Sequence, residues 1–141
     1  MLYELAEEAP PGDPGAFEDA YRSGLAAVVE QVGHDGAVDA DVDAETVEAV
    51  AAGEPVDLTV TDASRLLALE ECRPDAETIR QESLDHLLLG MTNAVLDVET
   101  IAANLALDIS PTGVQQRIEG RAEMSLVEYA HVHALIEERK P

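Results

Sequence analysis

The chain has 141 residues, enough for one ordinary hydrophobic core, and carries 30 acidic side chains against 8 basic ones for a formal net charge of −22. That balance opposes approach to nucleic acid in dilute salt, no apolar run approaches membrane-spanning length, and the lone Cys72 excludes an intrachain disulfide. Hydrophobic residues make up 46% of the chain and the acid excess is spread among them, which excludes an acidic disordered tail and argues for a folded protein.

Met1–Glu8 reads as a short amphipathic arm that ends at Pro10-Pro11-Gly12. It lacks a basic start and an apolar core, so no signal peptide is indicated and a cytoplasmic protein is expected. Asp13 is placed to cap a helix with Pro14 at its first position. Phe17, Tyr21, Leu25, Val28, Val29 and Val32 recur at helical spacing along it until Gly33. His34–Asp41 is small and polar, with one weak turn expected around Ala37–Ala40. Asp43 then caps a short helix to Ala52, with Val47 and Val50 inward and Gly53 as the stop. Val56–Val60 alternates like a strand, but Thr59 and Asp62 make a better capping box. The helix from Val60 carries Ala63, Leu66, Leu67 and Leu69 and stops before Pro74.

Asp75–Leu96 holds the longest helical pattern. Ile79, Leu84, Leu87, Leu88, Met91, Ala94 and Val95 wrap more than one face, which places it as a central rod. Gly90 in its middle costs about 1 kcal/mol against alanine and marks a close helix crossing. Asp97 restarts the chain into Val98–Leu107. Ser110 and Pro111 open the next helix and Gly120 ends it. Ser125 and Glu128 form a second capping box ahead of a helix through Ile136, and Glu137–Pro141 frays. The aromatics are only Tyr3, Phe17, Tyr21 and Tyr129, so the core is expected to be built from Leu, Val, Ile, Ala and Met.

Part of this grammar occurs twice. Val42-Asp43, Val47 and Gly53 precede Ile109-Ser110, Val114 and Gly120 by 67 residues. Past the glycines, Leu58, Thr59, Asp62 and Leu66 precede Met124, Ser125, Glu128 and Val132 by 66, as a one-residue loop change would leave. The pattern suggests an internal duplication of Gly24–Leu69 onto Met91–Leu135. The expected fold is therefore one all-α domain over 1–141, of about seven helices. Two helix-turn-helix-like units, about 24–69 and 91–135, flank the central helix 75–96.

Ile101-Ala102, Leu105-Ala106-Leu107, Val114, Ile118-Glu119-Gly120-Arg121 and Ser125-Leu126 resemble the Cro/repressor-like helix-turn-helix family. The resemblance implies a second helix that enters the major groove, with Thr112, Gln115, Gln116, Arg117 and Arg121 as candidate DNA contacts. Ala106 stands where that family usually has a turn glycine, and the turn is about two residues longer. In the first unit the corresponding helix, Ala44–Ala49, offers carboxylates where DNA offers phosphates. Over nearly its full length the chain also resembles a small family of acidic haloarchaeal proteins of unknown function. Met1-Leu2-Tyr3-Glu4, His86–Thr92, Ala94-Val95-Leu96-Asp97 and Ile118–Arg121 carry that likeness, which implies no activity, while the acidic, lysine-poor and aromatic-poor composition itself points to a salt-accumulating cytoplasm.

Nothing in the sequence composes an active site. His131 and His133 lie two apart on a helix and point to different faces, so they do not chelate one metal. His86 lies near Ser83 and Asp85, but neighbours on one helix do not make a triad. No glycine-rich phosphate loop is present. No catalytic, cofactor-binding or metal residue is assigned. The expected function is a non-catalytic regulatory or protein-interaction module with a protein partner or a homodimer seam along Leu84–Leu96. The rival is a transcription regulator that reads DNA through 112–117.

Overall fold

The computed structural model describes residues 1–141 and is helical throughout, with no strand. Eight α-helices follow in order: α1 Pro14–Val32, α2 His34–Ala37, α3 Ala44–Ala52, α4 Val60–Leu67, α5 Ala76–Ala94, α6 Val98–Asn104, α7 Pro111–Ile118 and α8 Leu126–Arg139. Two 3-10 turns, Leu2–Ala6 and Val38–Ala40, complete it. The capping residues explain most boundaries. Asp13, Asp75, Asp97 and Ser110 each accept a hydrogen bond from the backbone N–H three residues on. Thr59 with Asp62 and Ser125 with Glu128 close full capping boxes at α4 and α8. Asp43 occupies the cap position of α3 without a side-chain bond.

One continuous core of 31 buried hydrophobic residues joins these elements. α1 and α8 run along each other through its centre, and α1 also meets α3, α4 and the Leu2–Ala6 turn. α5 packs on α4 and α8 instead, with lesser contact to α7. Both α1 and α5 are thus central, and α5 is more peripheral than its wide apolar arc implies, since Leu88 and Leu89 remain 52% and 61% exposed. The scarce aromatics sit inside. Phe17, Tyr21 and Tyr129 are among the largest wholly buried side chains, so the core is not built from aliphatics alone.

The first residues are not a loose arm. Leu2 is wholly buried, its amide donates to Ser83 Oγ at 3.1 Å, and the Gly12 amide donates to the Ala134 carbonyl at 3.1 Å. Burial of a leucine side chain contributes on the order of 2 kcal/mol, enough to hold the segment down. The paired-strand tendency of Val56–Val60 survives as a single antiparallel bridge between Thr59 and Ser125. Val60 donates to the Met124 carbonyl at 2.8 Å and Leu126 to the Leu58 carbonyl at 2.7 Å. The two residues related by the 66-residue offset thus face each other, and each opens a helix.

Gly90 lies where α5 crosses α8. A β-carbon there would stand 2.7 Å from Ile136 Cγ2, closer than atoms tolerate. Alanine at this position should therefore fail to realise its helix-propensity gain of about 1 kcal/mol. Gly90→Leu should lower stability by about 1–3 kcal/mol in urea denaturation through overpacking. Unchanged stability of the leucine variant would contradict the crossing.

Candidate functional site

The helix singled out by the helix-turn-helix resemblance, α7, packs against α6. Thr112, Gln115, Gln116 and Arg121 are exposed, and Arg117 is half-buried. The cations here are engaged. Arg117 donates to Glu128 at 3.1 Å and to the Gly113 carbonyl at 3.0 Å. Arg121 pairs with Glu119, which Gln115 also approaches. The same holds across the molecule. Arg22 pairs with Glu18, Arg73 with Glu70, Arg80 with Glu77, and Lys140 with Glu137. Arg65 donates to the Asp41 carbonyl, and Arg139 to Asn104. All eight basic side chains therefore have a partner within the chain. Thr112, Gln115, Gln116 and Arg117 share α7 and Arg121 lies just beyond its end, but they do not form a face clear of carboxylates.

A second feature lies at the C-terminal end of α5. Val95 closes that helix with φ 55° and ψ 50°, in the left-handed region, and is 90% exposed. Glycine or asparagine is usual at such a cap, and a β-branched residue there is strained by roughly 1–3 kcal/mol. Leu88 and Leu89 are exposed one to two turns earlier. Beside them, Leu88, Met91, Val98 and Ile118 line a shallow cavity of about 310 Å³, with Asp97, Gln115 and Glu119 at its rim.

The third feature is a polar knot inside the core. The Tyr21 hydroxyl from α1 is hydrogen-bonded to Nδ1 of His133 on α8. The Tyr129 hydroxyl donates to the Ser83 carbonyl at 2.9 Å, and Ser83 Oγ accepts from Leu2. No buried side-chain nitrogen or oxygen is left without a partner. Phe17 and Tyr129 meet the His133 ring edge-on at 4.8 and 5.7 Å. On its outer side His133 presents Nε2 to Glu137 Oε1 at 3.6 Å. His86 from α5 stacks on Tyr3 at 3.7 Å and stands edge-on to His133 at 5.5 Å. His86, His133 and Glu137 bring one donor atom each to within 4.8 Å of one another, so they are the residues able to hold a metal ion. They border a cavity of about 340 Å³ whose other wall includes Tyr3, Ala6 and Glu7.

Burial sets the protonation of this cluster. Desolvation, then the neighbouring His86, lowers the His133 pKa to about 4. Desolvation, then Lys140, lowers His86 as well. Near neutral pH both rings are uncharged, so the contact between His133 and Glu137 is a polar one and not an ion pair. Burial raises the Tyr21 and Tyr129 hydroxyls far above their usual range, which keeps both as neutral phenols. Sequence reading sets His133 only against His131, a pair excluded by its spacing, and misses this cluster. One signal was present, since His133 and Glu137 lie one helical turn apart on the same face. His86 has no such signal, because it arrives from a different helix.

The chain is an all-helical protein with a strained apolar corner and a histidine-containing polar core. It belongs to the Family of unknown function (DUF5791), whose model matches residues 17–139 and so takes in α5, α7 and the His86–His133–Glu137 cluster. No curated protein and no solved structure matches the chain. No helix is long and apolar enough to cross a membrane.

His133 carries a pH dependence of defined sign. The unfolded imidazole takes up a proton near pH 6.5, and the folded one resists it until about pH 4. Its contribution to stability is thus full above pH 6.5 and is lost as the pH falls through that window, by about 3 kcal/mol. His86 shifts in the same direction. In chelator-treated protein, the stability difference between wild type and His133→Gln should shrink from pH 6.5 to pH 4, with the carboxylate titrations common to both cancelling. Urea midpoints at each pH give the difference directly. A constant difference would contradict the assignment.

Proposed function

We propose that the chain is a non-catalytic protein-interaction module of a salt-adapted cytoplasm, with its docking surface at the corner where α5 meets α6 and α7. Val95 carries the reading. The left-handed backbone at Val95 ends α5, but that role needs no β-branched side chain, and at 90% exposure the side chain adds nothing to solubility. Strain retained on a surface side chain points to a use for that side chain. Leu88 extends the same apolar surface toward the cavity lined by Met91, Val98 and Ile118, and Leu89 is exposed beside it toward Tyr3 and His86. Contiguous exposed apolar surface with a polar rim is characteristic of contact sites. Asp97 and Glu119 at the rim favour a partner with an apolar centre and a neutral or basic edge. At molar salt the Debye length is about 3 Å, so acidic rims do not keep two such surfaces apart, and a second copy is a chemically acceptable partner.

The reading as a DNA regulator through 112–117 draws on the exposure of Thr112, Gln115 and Gln116. It is the weaker one. Phosphate contacts supply most of the affinity of such proteins, and here Arg117 and Arg121 would first have to leave Glu128 and Glu119.

The double variant Leu88→Asp/Leu89→Asp alters only exposed side chains. It should unfold within about 0.5 kcal/mol of wild type while losing at least tenfold in association. Sedimentation equilibrium in molar KCl reads self-association, and capture from an extract at the same salt reads other partners. Val95→Gly should weaken the same contact without loss of stability, since glycine relieves the left-handed strain. Identical sedimentation and identical captured proteins for wild type and double variant would overturn the proposal.

A further inference from the structure

We propose that His86, His133 and Glu137 form a binding site for one divalent transition-metal ion, with zinc the ion they suit best. The donor set is two imidazoles and one carboxylate, which favours zinc or cobalt over magnesium or calcium, whose preference is for oxygen alone. At a zinc–ligand distance of about 2.1 Å, tetrahedral donors stand about 3.4 Å apart. His133 Nε2 and Glu137 Oε1 are already 3.6 Å apart. The three donors all lie within 4.8 Å of one another, and a shift of about an ångström by the half-buried His86 and Glu137, against the Tyr3 stack and the Lys140 ion pair, would close the set. All three residues line the cavity of about 340 Å³, which gives an ion its way in and would leave room for a further ligand.

The surroundings fit this use. The Tyr21 hydroxyl occupies Nδ1 of His133 and so fixes the ring with Nε2 toward Glu137. Metal-ligating histidines are commonly oriented by such a bond on the other nitrogen. When a metal takes the Nε2 lone pair, the single proton of the neutral ring resides on Nδ1, and the Tyr21 oxygen accepts it. No net proton is gained or lost by the ring. Tyr21 is thereby a positioning residue, not a ligand. Lys140 Nζ lies 2.8 Å from the Glu137 oxygen that faces His133. It occupies the place of a cation beside that carboxylate, and a divalent ion must compete with it.

The alternative is a satisfied core histidine with a polar neighbour and no ion. Zinc titration of chelator-treated full-length protein, by calorimetry in molar KCl, separates the two. Excess magnesium is added to occupy the many surface carboxylates. One equivalent of zinc should bind above the magnesium background, and cobalt in its place should give the visible absorption of a four-coordinate site. His86→Ala and Glu137→Gln should each weaken zinc by more than tenfold, and Tyr21→Phe by about tenfold. Lys140→Gln should tighten it several-fold, an effect that a purely structural role for Glu137 does not produce. Urea midpoints of the metal-free variants report whether each still folds, and either of the two ligand variants suffices for the test. Zinc binding that stays at the magnesium-masked background, or that neither ligand variant weakens, would overturn the proposal.

Discussion

The constraint on which the rest of this structure depends is the burial of Tyr21, Tyr129 and His133 together in an otherwise apolar interior. An unpaired polar group there would cost about 1–3 kcal/mol. Each of these side chains therefore has to find a partner on another element: Tyr21 with His133 between α1 and α8, and Tyr129 with Ser83 between α8 and α5. Ser83 in turn receives the amide of Leu2. Hydrophobic burial alone would allow these helices to slide against one another. The directional bonds set their register, and the close approach of Gly90 to Ile136 sets the distance between α5 and α8.

The features with functional interest follow from that register. Once α8 is held by Tyr21 on its inner side, His133 Nε2 is directed outward to Glu137. α5 is fixed against α8 by the Ser83 contact, which brings His86 over the same cavity. The same placement of α5 leaves Leu88, Leu89 and Val95 on the surface, since the residues that bury it are Ile79, Ser83, Leu84, Leu87, Gly90 and Met91. The helix therefore carries two unlike surfaces, a polar one toward the cavity and an apolar one toward solvent.

Local chemistry was legible in the sequence where one residue decides it. Asp13 with Pro14, Thr59 with Asp62, Ser110 with Pro111 and Ser125 with Glu128 marked helix starts correctly, because a cap is settled within four residues. Gly90 also signalled its crossing, since a mid-helix glycine is costly unless something uses the space. The fate of Leu2, Leu88 and Leu89 was not legible. An apolar side chain has no local mark of which element will cover it, and whether any does depends on contacts far along the chain. Val95 ran against the rule, as a branched residue where glycine is normal. The candidate metal ligands were half legible, in that one helix carries two of them and a different one carries the third.

His133 sits uncharged and oriented in the polar knot, and its imidazole nitrogens can be observed directly. Long-range proton–nitrogen NMR spectra of the metal-free protein, recorded from pH 8 to pH 4, separate the charged ring from each neutral tautomer. His133 should stay neutral well below pH 6, in a single tautomer that Tyr21→Phe perturbs. A His133 ring that titrates near pH 6.5, or one that averages between tautomers and is indifferent to Tyr21, would contradict it.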